Sequence, residues 1–207
     1  MKYRFLAVLV VGALALGSVQ AADEFVPLFG KDLKGFKFVP ETADKTFTVT
    51  NDMILVTGKP NGYFYTPKSY KNYVLKFEVR YARPADLTDD TKFTGNSGFL
   101  VHIQGEHKVW PKSVEVQGQN KDMGNIFAIG GAAKGDFKKN ADVQKKAIKP
   151  VGQWNEVEIT SMDGKLTCTI NGQVVCEGTS ELKEGPIGFQ SEGAEIHFRN
   201  LMIKELK

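Results

Sequence analysis

The chain is poor in the residues that usually mark a reactive centre. Its 207 residues include only two cysteines and three histidines. Two cysteines exclude a small fold held together by several disulfides. His102, His107 and His197 lack HExxH spacing, and there is no DxDxDG calcium loop, GxSxG elbow or phosphate-binding glycine loop. An excess of one charge is missing too, since 27 basic and 24 acidic residues leave a net charge of +3. The one basic cluster, 134–149, is diluted by Asp136 and Asp142. A nucleic-acid partner, which calls for a concentrated basic face, is therefore not expected. Helical periodicity is also scarce: only 139–148 (KNADVQKKAI) reads as a short helix.

Long apolar runs are confined to the beginning. Lys2 and Arg4 precede the run Phe5 to Leu16, which is too short to span a bilayer comfortably, and Val19-Gln20-Ala21 follows with small residues. Residues 1–21 are expected to be a signal peptide cleaved after Ala21. No cysteine follows the run to take a lipid anchor. The expected product is a periplasmic or secreted bacterial protein with no stable membrane insertion after cleavage.

What remains, 22–207, suits one domain of about 185 residues, long enough for a sizeable core without disulfides. It keeps a rhythm of strands and turns. Strands are expected at 36–39, 46–50, 53–56, 62–66, 73–81, 97–104, 113–117, 155–161, 165–170, 173–177, 186–191 and 194–205. In 73–81, Val74, Lys76, Glu78 and Arg80 alternate with Leu75, Phe77, Val79 and Tyr81. Asn51-Asp52, Asp163-Gly164 and Asn171-Gly172 supply turns. This pattern predicts an all-β fold, a jelly-roll sandwich, with long loops at 82–95 and 118–150 available for a site. At Asn171-Gly172 a two-residue turn pairs Ile170 with Gln173 and Cys168 with Val175, putting Cys168 and Cys176 on opposite faces. A bridge between them would require a different register.

The polar faces of two strands carry the functional signal. In 113–117, Glu115 and Gln117 lie opposite a valine face. In GPIGFQSEG (185–193), Gln190 and Glu192 mirror them, and Gly188 is expected to leave room for a ligand. A Glu/Gln pair on each of two strands offers a cradle for sugar hydroxyls, and paired carboxylates are what glycosidic bond chemistry uses. Strict alternation puts His102 on the same face as Gly98, Leu100 and Gln104. Trp110, Tyr63 and Tyr65 are candidate stacking surfaces, whereas Trp154 is expected to pack in the core or at its edge.

The segments FVPLFGKDLKGFKF (25–38), DMILVTG (52–58), SYKNYVLKFEVRY (69–81), NSGFLVHI (96–103), VEVQ (114–117), GQWNEVEI (152–159), INGQVV (170–175) and GPIGFQSEGAEIHFRNLMIKEL (185–206) occur in this order. Together they resemble the 3-keto-disaccharide hydrolase domain family. The resemblance implies a concanavalin A-like jelly roll of two antiparallel sheets that acts on glycosides already oxidised at carbon 3 by a separate oxidoreductase. It carries Asn96, Glu115, Gln117, Gln190 and Glu192 onto the family's motifs, and it makes Arg199-Asn200 structural. His102 departs from the arginine of many members. The expected roles are Glu115 as base, Glu192 as proton donor, and His102 or a bound divalent cation as enolate stabiliser. Asn96, Gln117, Gln190 and Trp110 are expected to bind substrate. A non-catalytic, lectin-like module that binds carbohydrate is the alternative.

Overall fold

The two-residue period of the long strands governs the architecture. In a computed structural model, which describes residues 24–207, the long strands Tyr73–Tyr81, Asn155–Met162 and Ile196–Glu205 follow the alternation of buried and less buried residues. The signal segment expected at 1–21 lies outside the described residues. In chain order the strands are β1 (Val26–Pro27), β2 (Lys37–Val39), β3 (Phe47–Thr50), β4 (Met53–Val56), β5 (Gly62–Tyr65), β6 (Tyr73–Tyr81), β7 (Gly98–Gln104) and β8 (Lys112–Gln117). Next come β9 (Ile126–Ile129), β10 (Asp136–Lys139), helix α1 (Ala141–Ala147), β11 (Asn155–Met162), β12 (Lys165–Ile170), β13 (Gln173–Thr179), β14 (Gly188–Ser191) and β15 (Ile196–Glu205).

They form two antiparallel sheets packed as a jelly-roll sandwich. One has the order β10-β13-β12-β11-β6-β15-β4-β3, with β1 added to β15; the other runs β2-β5-β14-β7-β8-β9. Strands β9 and β10 fall in the stretch expected to be a loop, 118–150. Each is short and largely unburied, so it lacks the full alternation that marks a strand, and each forms by pairing with an established neighbour, β8 or β13.

Between the sheets, phenylalanine rings interlock. Phe77 of the larger sheet meets Phe99 edge-on at 4.6 Å between centroids and Phe189 at 5.3 Å, while Phe198 meets Phe189 at 5.4 Å. Phe64 stacks on Phe189 at 5.2 Å. Fully burying one such side chain stabilises the fold by roughly 2–3 kcal/mol, and the edge-to-face geometry adds about 0.5–1.5 kcal/mol per pair. On the outer side of the larger sheet, Trp154 lies between the Arg80 and Arg199 guanidinium groups at 4.6 and 4.1 Å. Arg199 and Asn200 both donate to Glu78, which makes this pair structural, as expected.

The hairpin after β12 departs from the expected register. Ile170 pairs with Gln173 and Thr169 with Val174, but Cys168 then pairs with Cys176. Val175 is the extra residue of a bulge, so the cysteines stand directly opposite each other instead of on opposite faces.

A second bulge overturns the placement of His102. Val101 pairs with Val114 and Gln104 with Lys112, so His102 and Ile103 together face only Ser113. His102 takes a φ of 55°, which breaks the alternation. Its ring turns in between the sheets, edge-on to Tyr73, and Nε2 lies 3.0 Å from Ser161 Oγ. The Ser161 hydroxyl donates to Lys71 O, so its oxygen accepts from Nε2–H, and Nδ1 is left buried without a partner. Burial lowers the His102 pKa to about 4. The unfolded chain therefore takes up this proton first, and stability contributed by neutral His102 is lost as pH falls from 6.5 towards 4. Urea unfolding of the parent should show about 2.5 kcal/mol of this loss by pH 4.5. In His102→Gln that component should be absent.

Candidate functional site

Because Phe99 and Phe189 point inward, their neighbours Gly98 and Gln190 must point out of the smaller sheet. On β8 the same logic sends Val114 and Val116 inward and Glu115 outward, beside Leu100 of β7 and Phe127 of β9. Strands β14 and β8 flank β7, with Gln190 level with Gly98 and Glu115 level with Leu100, so the two start about 12 Å apart at the backbone. Gly98 lets them meet. A Cβ there would lie 2.2 Å from Gln190 Oε1 and 2.4 Å from Glu115 Oε1. Gly188, expected to provide this opening, is instead covered, since its Cβ would meet Tyr63 Cδ2 at 3.0 Å and Ile103 Cδ1 at 3.1 Å.

The environment separates the two carboxyl groups. Glu115 is 5% exposed, and burial, reinforced by the charge of Glu192, raises its pKa to about 8. Most Glu115 side chains are therefore protonated at pH 7. Glu192 is half-buried and also shifted upward by burial, but hydrogen bonds from Asn96 and Trp110 oppose the shift. Its charged form is the better supported of the two. Gln190 Oε1 and Asn96 Oδ1 are buried without hydrogen-bond partners. Two such oxygens around a carboxylic acid are acceptors suited to the hydroxyl donors of a sugar.

Asn96 reaches the site by bridging, through its backbone, to Glu192 and Gly193 just beyond β14. Trp110 comes from the loop between β7 and β8, and it remains 50% exposed while its side chain bonds Glu192. Gln117 lies on the same face, but its Oε1 accepts from Gln119 N at 2.7 Å and so shapes the turn after β8. His102 is not among them, for the reason given above. The histidine on this face is His107, which sequence reasoning missed. Its ring stacks on Tyr65 at 4.1 Å, and Nδ1 lies 3.0 Å from the Tyr63 hydroxyl. Of the expected stacking surfaces, Tyr63 is fully buried and Tyr65 is covered on one side, which leaves Trp110 the open one. The signal that could have found His107 was its presence with Trp110 on one short loop between two site strands.

Beside Glu192, loop 82–95 borders a groove of 570 Å³ lined by Pro84, Leu87, Phe93, Gly95, Gly193 and Ala194 among others. Among the described residues, no group of three or more His, Cys, Asp or Glu side chains gathers as metal ligands. Glu115 and Glu192 with two amide oxygens are the hard donors that the site offers.

The fold is shared with solved structures. A provisionally assigned glycosyl hydrolase from Parabacteroides distasonis is 23% identical and aligns over 89% of this chain and 100% of its own, with a TM-score of 0.64. A second such protein from the same organism is 22% identical over 88% of this chain and 94% of its own, with a TM-score of 0.60. The carbohydrate-binding module CBM66 from Bacillus subtilis is 12% identical over 83% of this chain and 96% of its own, with a TM-score of 0.58. No curated protein matches the sequence. The family match, by contrast, runs over residues 24–204, through both sheets and every site residue described above, and the chain accordingly belongs to the carbohydrate-active 3-keto-alpha-glucoside-1,2-lyase-like domain family.

Proposed function

We propose that this protein cleaves the glycosidic bond of 3-keto-glycosides by elimination and rehydration on the outer face of the smaller sheet, in the periplasm or outside the cell. The observation that carries the reading is the meeting of Glu115 and Gln190 above Gly98, next to a second carboxyl, Glu192, in a contrasting environment. Family membership supports the substrate class.

A ketone at carbon 3 acidifies the hydrogen on carbon 2. Glu192 removes that proton, and the electron pair enters the enolate. The bond from carbon 1 to the glycosidic oxygen then breaks, and Glu115 protonates the departing oxygen. Glu192 now holds a proton and Glu115 is ionised. Water adds to carbon 1 while Glu115 takes a proton from it, and Glu192 returns its proton to carbon 2. The sum is hydrolysis, with both groups restored. These roles exchange those expected from sequence, because Glu115 is the more deeply buried acid. The N–H donors on this face that could meet the enolate oxygen are the Gln190 amide and the His107 ring. An exposed Trp110 favours one alternative, a module that stacks a sugar without turning it over.

The test is turnover of a 3-keto-disaccharide beside its unoxidised parent, with and without EDTA. Cleavage of the keto form alone is expected. Cleavage of the parent would show ordinary two-carboxylate hydrolysis, and binding of either sugar without cleavage would show a lectin-like module. Loss of activity with EDTA would add a cation to the site.

Glu115→Gln should lower kcat by about 10²–10⁴-fold with little change in KM. In the parent, kcat should fall as pH rises through about 8, where Glu115 loses its proton, and this limb should be missing from the residual activity of Glu115→Gln. Gly98→Ala should abolish turnover while leaving a folded protein, because its methyl group would occupy the place where Glu115 and Gln190 meet; circular dichroism and the keto-disaccharide assay check both parts.

A further inference from the structure

The cysteines play no part in the chemistry above, yet their placement is specific. Cys168 of β12 and Cys176 of β13 are direct cross-strand partners. Directly opposed residues share a face. Both are in the hydrophobic core, 0% and 1% exposed. Each also packs against the same turn. A Cβ on Gly124 would lie 3.1 Å from Cys168 Sγ, and Cys176 Sγ lies 4.0 Å from Asn125 Oδ1.

We propose that Cys168 and Cys176 are a disulfide-forming pair, closed during folding by a thiol–disulfide oxidant. Opposed Cα atoms in an antiparallel pair lie about 4.5–5.5 Å apart, inside the range that a disulfide spans. Opposed Cβ atoms lie about 4.5–5.5 Å apart, whereas a disulfide needs about 3.5–4.5 Å. Closing the bond therefore takes an approach of about 1 Å, and the irregular backbone at Val175, one residue away, can supply it.

Burial decides when the bond forms. Neither thiol can meet an oxidant in the folded protein, and burial raises both thiol pKa values, which suppresses the thiolates. Oxidation therefore precedes closure of the sheets. One cysteine thiolate attacks the disulfide of the oxidant and expels one of its thiolates. The second cysteine thiolate then attacks the mixed disulfide and expels the other. The oxidant leaves as two thiols, having accepted the two electrons, and the protein has lost two hydrogens.

The bond has a structural consequence for the sugar face. Gly124, packed on Cys168, donates its N–H to Gln117 O, and Gln117 N–H donates to Asn125 O. The cysteine pair thus braces the turn that ends β8, the strand that carries Glu115.

The experiment is to refold the full chain with glutathione and glutathione disulfide, then denature it and treat it with N-ethylmaleimide before and after reduction, reading intact mass. The expected result is no adduct before reduction and two adducts after. Two adducts before reduction, a glutathione adduct, or a dimer linked between chains would overturn the proposal. A second measurement compares melting with and without reductant added before refolding. The oxidised protein should melt about 5–10 °C higher; equal melting points for fully oxidised and fully reduced samples would overturn the bracing role.

Discussion

Phe77 touches rings from two neighbouring strands of the opposite sheet, and much of the molecule follows from that contact. A strand that commits Phe99 inward has no freedom over Gly98. A strand that commits Phe189 inward has none over Gln190. Slipping either strand by one residue would expose a phenylalanine and bury a polar group, a change worth several kcal/mol by burial alone. The outer face that carries Gly98 and Gln190 is therefore held in register by the core on its other side. Its precision depends on apolar packing that never meets a ligand.

The two outer faces carry polar networks of different kinds. On the larger sheet, Glu78 accepts from two Arg199 nitrogens, Nε and Nη2, and from the Asn200 amide, and hydrogen bonding to Arg199 holds its carboxyl below the usual range. On the smaller sheet, Gln190 and Asn96 keep unbonded buried oxygens beside a carboxyl pushed the opposite way. Leaving such groups unsatisfied costs about 1–3 kcal/mol each. Two of the four such atoms among the described residues lie here beside Glu115, the other two between the sheets at Tyr73 and His102, and only the pair on the outer face can be met by a ligand.

Alternation made most of this readable from residues alone. It placed Glu115, Gln117 and Gln190 on a common face and Leu75, Phe77 and Val79 in the core. It failed where the backbone stops alternating. His102 and Cys176 were both displaced by bulges, and a bulge inserts one residue without leaving a composition that marks it. The short strands β9 and β10 escaped because partners, more than their own pattern, hold them in the sheets. His107 escaped because a loop residue has no period, and its position over Tyr65 is set by how the loop folds back. The burial of Glu115 was illegible for another reason: one of the strands that flank it, β9, has too little alternation to be read as a strand.

Gly98 has an implication for how such a protein can diversify. With no side chain at that position, the floor of the cradle is main chain, and a main-chain floor offers mutation nothing to vary except by filling it. Adaptation to a different sugar must then come from the walls. The segment bearing His107 and Trp110 is the wall that supplies no ring to the core, whereas loop 82–95 buries Phe93 edge-on to Tyr81 at 5.0 Å and is tied to the packing. On the function proposed above, the fold thus separates a main-chain floor from the loop between β7 and β8, which can change without re-solving the packing problem.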